Sequence, residues 1–356
     1  MKDWAWPHPP TPWSDELLSS YLSRSALRYG LSPTRFCALH FPHAQVWTRD
    51  IDRSAPDAFC QRIAAKSGLT LDRVQEMTLR GVAQRITPAH PRALQATQRW
   101  VGALSVYHRD RRGHGLQFCP ACLTDDGYFR RMWRMSYWTI CPVHRARLLD
   151  ACPGCGRPIM LHRHQVSLLR CHGCGRHLRR SSSTIGASDD ADSAAVLALS
   201  ERCQSACDRG SISIASQRLP ADEFLAGAHF LVRLHGLWER QQQPGKARSR
   251  APELEHCRVA ERHRRLGRLA VMLSDWPRTF LGLADQEGAT QQSLRAVGRP
   301  PGWIEAASQV LPAGIPHDRT KRGVDLRRRL RALHRQKREG WRTCRAELLL
   351  RAGGIR

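Results

Sequence analysis

Four short motifs of paired metal ligands between residues 119 and 174 constrain this sequence more than any other feature. They read CPAC, CPVH, CPGC and CHGC, and each sets two ligand-type side chains three positions apart. Such a pair supplies two ligands from one tight turn, and two pairs complete a tetrahedral site. The simplest, sequential partition predicts two structural zinc ions, with site one formed by Cys119, Cys122, Cys141 and His144, and site two by Cys152, Cys155, Cys171 and Cys174.

Other metal centres fit these residues less well. A catalytic zinc keeps three protein ligands and an open position for water, whereas each site here has four ligands. An iron–sulfur cluster accepts cysteine, but the histidine of CPVH argues against it for site one. Cys203 and Cys207 lack a second pair nearby and are interpreted as half-buried thiols. Nearby histidines could replace a ligand, although satisfied surface histidines are the simpler interpretation: His114, His162, His164, His172 and His177.

The loop between Cys122 and Cys141 is rich in aromatic and basic residues. So short a module has little else to bury, so we expect Trp133 to form its core. The other aromatic residues could be core or could stack on nucleic-acid bases: Tyr128, Phe129, Tyr137 and Trp138. The arginines beside them are candidates for phosphate contacts: Arg130, Arg131 and Arg134.

A repeat occupies the first hundred residues. ALRYGLSPTRFCAL (26–39) and AAKSGLTLDRVQEM (64–77) share Ala, Gly, Leu, Ser or Thr, and Arg at equal offsets. Glycine suits a helix end that needs positive φ, and Ser32 and Thr70 suit the N-cap of a following helix. The pattern predicts two helix-turn-helix units, with second helices at Pro33 to His40 and Leu71 to Leu79. Their exposed residues would contact either DNA or a protein, and the DNA candidates are Thr34, Arg35 and Arg73.

The charge balance indicates a polyanionic partner. Lys and Arg number 57 against 31 Asp and Glu, a formal net charge of +26. Such an excess favours DNA or RNA, the alternative being a basic protein whose charge only aids solubility.

There is no secretory signal at the N-terminus and no apolar run long enough to span a bilayer. We therefore expect a cytoplasmic protein, associated with the nucleoid when it binds DNA, whose 13 cysteines stay reduced.

The remaining chain is predicted to be helical and, at its end, strongly basic. SSSTIGASDDADS (181–193) has the composition of a linker. ADEFLAGAHFLVRLHGLWER and RRLGRLAVMLSDWPRTFLGLADQ show helical spacing of apolar residues. VDLRRRLRALHRQKRE predicts a cationic helix with either a solvated face or a face for DNA or an acidic partner, and its DNA candidates are Arg327, Arg328, Arg329 and Arg331.

The ordered set of motifs resembles the TniQ family, which includes the TnsD target selectors of transposons. The motifs are SDELLSSYLSRSALRYGLS, DIDRSAP, FCPACLTDDGYFRRMWRMSYWTICPVHRARLLDACPGCGRPI and, more weakly, LSDWPRTF. The resemblance covers roughly residues 10 to 175, and the chain length is closer to the short TniQ proteins. It implies the same eight zinc ligands as above. It also places the family's N-terminal helix-turn-helix on the first repeat unit.

The resemblance also implies a role. Family members help choose where a transposon inserts, and they connect a target site to an AAA+ ATPase regulator, TnsC or TniB, which recruits the transposase. The long TnsD type binds a specific attachment sequence, whereas short members can work with an RNA-guided targeting complex. Relatives form dimers, so a homodimer is a further expected partner.

These features together predict a mainly α fold with no membrane partner. The expected parts are N-terminal helix-turn-helix units over 1–115, a tandem zinc-ribbon or knuckle module over 116–180, a linker over 181–195, a C-terminal helical domain over 196–300 and a basic tail helix over 301–356.

Three functions are compatible with these features to different degrees. The leading one is a non-catalytic DNA-transposition adaptor, and the alternative is a sequence-specific, zinc-containing transcription regulator. An enzyme is disfavoured because the sequence shows no well-placed acidic triad and no P-loop. The adjacent Asp125 and Asp126 lie inside a zinc loop.

Overall fold

The computed structural model describes residues 5–86, 99–179, 191–242 and 252–314. Across these ranges the secondary structure consists of thirteen α-helices, several short 3-10 turns and two two-stranded antiparallel sheets. The mainly helical architecture expected from the sequence is confirmed. The chain divides into two compact units, Met1–Trp276 and Pro277–Arg356.

The N-terminal part of the first unit is a set of short helices around one apolar core. Trp6, Tyr21, Phe36, Phe41 and Trp47 are among the side chains that fill it. The helices are α1 (Leu18–Arg28), α2 (Pro33–His40), α3 (Ile51–Ser54), α4 (Asp57–Ser67), α5 (Leu71–Glu76) and α6 (Arg80–Ile86).

The predicted repeat corresponds to two helix-turn-helix units, α1–α2 and α4–α5. Gly30 and Gly68 adopt φ values of +68° and +70°, a left-handed conformation that glycine adopts without steric cost. The Ser32 and Thr70 side chains accept hydrogen bonds from the third residue of the next helix, at 3.3 Å and 3.2 Å. In the first unit, the second helix, α2, has the predicted bounds Pro33–His40. In the second unit, the second helix, α5, ends at Glu76 and not at the predicted Leu79, because a turn at 77–79 leads into α6.

The segment with the metal-ligand motifs contains little regular structure. A hairpin of β1 (Val106–Tyr107) and β2 (Asp110–Arg111) precedes it, and α7 (Pro120–Asp126) follows the first cysteine. Short 3-10 turns occur at Arg131–Arg134 and Leu161–Arg163. Trp133 is fully buried, as predicted, and the four aromatic residues whose role the sequence left open are also buried: Tyr128, Phe129, Tyr137 and Trp138. They therefore form the core of this segment and are not exposed for stacking on bases.

Three long helices complete the first unit. These are α8 (Ala191–Arg209), α9 (Ala221–Gln241) and α10 (Val259–Ser274), with a hairpin of β3 (Ser211–Ile214) and β4 (Gln217–Pro220) between the first two. The Ser200 hydroxyl of α8 donates to the Tyr137 carbonyl at 2.6 Å, which fixes α8 against the aromatic core. Helix α8 begins at Ala191, so residues 191–195 belong to a helix and not to the predicted linker.

The second unit contains α11 (Arg278–Gln286), α12 (Gln291–Arg295) and α13 (Gly302–Ser308). Thr290 caps α12 in a reciprocal capping box with Ser293, which satisfies two backbone N–H groups at the start of the helix.

The predicted basic tail helix, with its candidates Arg327, Arg328, Arg329 and Arg331, lies outside the described residues. In the ranges that are described, no helix is both long and apolar enough to cross a membrane.

Candidate metal centres and nucleic-acid interface

The ligands of site one come from the two ends of the aromatic-rich stretch between Cys122 and Cys141. Cys119 and Cys122 flank the first turn of α7, and Cys141 and His144 lie on a tight turn that reaches the same point. The Cys122 sulfur lies 3.6 Å from the Cys141 sulfur and 3.2 Å from Nδ1 of His144. The Cys119 sulfur lies 3.6 Å from the same nitrogen. The structure thus brings together the four residues that the sequence assigned to site one.

Site two is built from two copies of one turn. Cys152 and Cys155 come from the first copy, and Cys171 and Cys174 from the second. The Cys152 and Cys174 sulfurs are 3.7 Å apart, and those of Cys155 and Cys171 are 3.6 Å apart. Cys155 and Cys174 are exposed, whereas all three cysteines of site one are buried.

The spacing of the ligand atoms fits a tetrahedral metal ion. Zinc–sulfur bonds of about 2.3 Å arranged as a tetrahedron separate neighbouring sulfurs by about 3.8 Å. In each group all four ligand atoms lie within 4.8 Å of one another, and the closest pairs match that edge length. Both groups can therefore hold a metal ion, and their four-ligand composition is consistent with structural zinc.

The backbone of the turns explains why these sequences hold metal. In site two, Gly156 and Gly175 adopt φ values of +70° and +71°, and each N–H donates to the carbonyl of the first cysteine at 2.9 Å. In site one the corresponding residue is Arg145, which takes φ +48° and makes the same bond to Cys141. Backbone N–H groups also point at ligand sulfurs, as from Gly154 to Cys152 at 3.3 Å. Such bonds orient a thiolate and stabilise its charge.

Two arginines cross over site two. The side chain of Arg176 lies where a Cβ on Gly154 would be, and the side chain of Arg157 lies against Gly173 in the same way. Each arginine thus packs on the turn that holds the other pair of ligands. A larger residue at either glycine would displace the arginine side chain that packs on it.

A buried arginine connects the site-one loop, the stretch between Cys122 and Cys141, to the helix-turn-helix units. Arg134 is fully buried, and its Nη2 lies 2.6 Å from Oδ2 of Asp50 while Nη1 lies 3.2 Å from Oδ2 of Asp52. Asp52 also accepts bonds from the N–H and hydroxyl of Ser19, both at 2.8 Å. The expectation that Arg134 contacts DNA is therefore wrong, because the guanidinium has no access to solvent.

Burial and the ion pair act in opposite directions on the two aspartates. Burial raises the pKa of Asp50, but the Arg134 guanidinium outweighs it and leaves that pKa below its usual value. For Asp52, burial dominates and the neighbouring Asp50 charge adds to it, so its pKa rises to about 6. Both residues lie in the DIDRSAP motif, which the sequence singled out without a role. Paired acidic residues beside a helix start were the only sequence signal for this network.

Three other predicted phosphate contacts are held by partners within the chain. Arg73 donates to the Pro12 and Trp13 carbonyls and pairs with Glu76. Arg130 pairs with Asp15 and Asp126. Arg131 donates to the carbonyls of Ser14 and Glu76. Arg130 and Arg131 connect the site-one loop to residues 14–15, and Arg73 connects α5 to residues 12–13. Arg35 is thus left as the exposed arginine of the predicted set in the described ranges.

The first turn of α2 docks on the loop between the two halves of site two. The Thr34 hydroxyl donates to the His162 carbonyl at 3.0 Å, so this candidate DNA contact already has a hydrogen-bond partner within the chain. Arg35, the next residue, is exposed. The exposed side of α2 also presents Leu39, whose side chain is 62% exposed.

Histidines near the sites have structural partners. His162 and His164 are buried, not at the surface, and each bonds a backbone carbonyl, that of Arg109 at 2.7 Å and that of Ser167 at 2.9 Å. Burial is the largest cause that lowers the pKa of His162, to about 3, and of His164, to about 4. Both rings are neutral at physiological pH.

Cys203 and Cys207, which the sequence predicts to be half-buried thiols, are fully buried in α8.

A third group of ligand-type side chains joins His229, Glu253 and Glu255. His229 and Glu255 are buried and lie 3.1 Å apart, and the Trp100 N–H donates to the same Glu255 oxygen at 2.6 Å. The Glu255 carbonyl in turn accepts a bond from the Ala103 N–H. This pair fixes the chain entering the metal-binding segment, a structural role that needs no ion.

The chain matches a known protein family over part of its length. Residues 7–148 match the TniQ family model, a range that contains both helix-turn-helix units and all of site one. This match confirms the resemblance seen in the sequence: residues 7–148 carry a TniQ domain. No curated protein matches the chain. The family match supports an association with DNA transposition.

Proposed function

We propose that this protein is a non-catalytic accessory factor of DNA transposition that takes part in target-site selection. It would link target DNA to an AAA+ regulator of the TnsC or TniB kind. The TniQ domain over residues 7–148 is the observation that carries this proposal. The net charge of +26 supports DNA as one of its partners.

The metal centres support a scaffolding role. Each has four protein ligands, so a bound zinc ion would have no open position for water or substrate. Zinc would contribute folding free energy to a segment that has little regular secondary structure. His229 and Glu255 of the third group are engaged in a hydrogen-bond network that holds Trp100 and Ala103.

A capture experiment tests the proposal. The purified protein would be immobilised and mixed with an AAA+ ATPase of the TnsC or TniB kind, with and without duplex DNA, at two salt concentrations. We expect capture of the ATPase, and DNA binding that weakens as salt rises. Failure to capture the ATPase under any of these conditions would contradict the adaptor role. Mg²⁺-dependent cleavage of DNA would contradict the non-catalytic assignment.

The two helix-turn-helix units favour one alternative, a sequence-specific transcription regulator. Tight binding to a single DNA sequence without capture of the ATPase would support it. A targeting complex guided by RNA, a second copy of this chain, and a cytoplasmic, nucleoid-associated location also belong to the proposal. Size-exclusion chromatography with light scattering would determine whether the protein is a dimer.

A further inference from the structure

The β1–β2 hairpin stands beside the first turn of α2, and one buried histidine joins them. The loop of the hairpin is His108–Arg109, since Tyr107 pairs with Asp110. The His162 ring donates from Nε2 to the Arg109 carbonyl at 2.7 Å, and the His162 carbonyl accepts from Thr34 of α2 at 3.0 Å. The hairpin loop and the start of α2 are thus separated by a single residue.

Further contacts make this arrangement rigid. The Trp47 ring stacks on His162 with centroids 5.4 Å apart, and its indole N–H donates to the Pro33 carbonyl at the start of α2. From the hairpin, the buried Arg111 donates to the Trp47 carbonyl at 3.1 Å. Because its pKa lies at about 3, His162 is neutral and keeps the same hydrogen-bonding pattern at physiological pH.

The hairpin presents positive charge and an aromatic ring to solvent. Arg109 and Arg112 are exposed, whereas Arg111 between them points inward as the anchor. Tyr107 is 54% exposed, with the Arg112 guanidinium 4.3 Å from its ring centroid. The one carboxylate of the hairpin, Asp110, is paired with Arg163.

The exposed arginines of the two elements have no acidic partner. Within the described parts of the chain, no carboxylate lies in ion-pair range of Arg35, Arg109 or Arg112. In the same protein, arginines such as Arg73 and Arg130 are paired with acidic side chains. Unpaired arginines on two adjacent rigid elements match a regularly spaced polyanion such as the DNA backbone.

We propose that the β1–β2 hairpin and α2 form one binding surface for duplex DNA. Helix α2 would lie in the major groove with Arg35 at its edge. The hairpin would follow the adjacent backbone, with Arg109 and Arg112 on phosphates and Tyr107 holding Arg112 in place. This inference rests on the proposed function and specifies which surface engages the target. A duplex suits the surface better than a single strand, because the aromatic residues of the metal-binding core are buried and Arg112 occupies one face of the Tyr107 ring.

The test is the salt dependence of binding to a labelled, mixed-sequence DNA duplex, measured by fluorescence anisotropy. The variant Arg109→Ala/Arg112→Ala should lose two phosphate contacts. The slope of log K against log salt should then fall by about 1.8, since each contact contributes about 0.9. Arg35→Ala should lower the slope by about 0.9. The matched control is Arg218→Ala on the β3–β4 hairpin, an exposed arginine of the same charge whose loss should leave the slope unchanged.

These substitutions should leave the fold intact, because all three side chains are exposed and the bond that fixes the hairpin loop uses the backbone carbonyl of Arg109. Unchanged circular dichroism and metal content would verify this for each variant. A wild-type slope retained by the double variant would overturn the inference while leaving DNA binding in place. No binding of duplex by the wild type would overturn both this inference and the DNA-binding part of the proposed function. Preference for single-stranded RNA, lost in the double variant, would overturn the choice of duplex DNA.

Discussion

The fully buried guanidinium of Arg134 bonds the largely buried Asp50 at 2.6 Å, and so joins the site-one loop to the residue before α3. Removing one partner of a buried pair leaves the other charge uncompensated, at a cost of about 3–5 kcal/mol. Arg134→Gln should therefore lower the free energy of unfolding by that amount, measured by urea denaturation. Arg264→Gln is the control, since its ion pairs are half-exposed and worth under about 1 kcal/mol. Equal losses in the two variants would contradict this account.

The two aspartates of the network should respond differently to neutralisation. The pKa of Asp50 is lowered, so its ionised form is stabilised by folding, whereas burial raises the pKa of Asp52 to about 6 and its ionised form is disfavoured. At pH 7.5, Asp50→Asn should thus destabilise the protein more than Asp52→Asn. The midpoints of thermal unfolding would rank them, and the reverse order would show that the Ser19 bonds to Asp52 dominate.

The metal centres should respond separately to loss of a ligand. Cys119→Ser and Cys152→Ser should each reduce the metal content from two ions per chain to one, because each residue belongs to a different four-ligand group. Elemental analysis of the purified proteins measures this directly. Cys203→Ser, at a buried cysteine outside both groups, should keep both ions. Two retained ions in Cys119→Ser would refute the assignment of site one.

Acid should destabilise the protein in part through His162. Its pKa is about 3 when folded and about 6.5 when unfolded, so between those values the unfolded state binds more protons. The stability contributed by the neutral ring is fully present above about pH 6.5 and is lost as pH falls toward 3, at up to about 1.4 kcal/mol per pH unit. His162→Gln should flatten the stability profile between pH 6.5 and 5 relative to the wild type. Parallel profiles for the two proteins would contradict this.

Two glycines should resist any enlargement. A Cβ on Gly102 would lie 2.4 Å from the Gly115 carbonyl oxygen, and one on Gly115 would lie 2.2 Å from the Gly102 carbonyl carbon. The contact is between backbones and cannot be relieved by a side-chain rotation, so Gly102→Ala should cost roughly 1–3 kcal/mol or more. Gly81→Ala, in helix α6 with open space around it, should be neutral or stabilising by up to about 1 kcal/mol. Thermal unfolding of the pair would compare them.

Local features were the predictable part of this fold. The Gly30–Ser32–Pro33 turn and the Gly68–Thr70 turn follow from backbone preferences of a few adjacent residues, and the structure confirms both. The metal-ligand groups were equally accessible, because the ligand spacing within each pair is fixed by one turn. The TniQ assignment followed from the order of those motifs.

Long-range relationships were the part that local pattern could not supply. Arg134 was assigned to DNA because its neighbours are basic and aromatic, and nothing near it in the sequence shows that Asp50 lies across from it. Likewise the YHRDRRGH stretch gave no reason to place Arg109 beside α2, since the connection runs through His162, 53 residues away. The α5 boundary and the start of α8 differed by a few residues for the ordinary reason that helix ends depend on tertiary contacts.

The bond between Thr34 and the carbonyl of His162 spans 128 residues of sequence. A fragment cut near residue 115, at the predicted end of the helix-turn-helix region, would remove both His162 and Arg134. It would leave Asp50 and Asp52 without the Arg134 guanidinium, and the start of α2 without the His162 carbonyl. The smallest piece of this protein suited to expression and crystallisation therefore extends through site two, and the helix-turn-helix region is best studied together with its metal-binding segment.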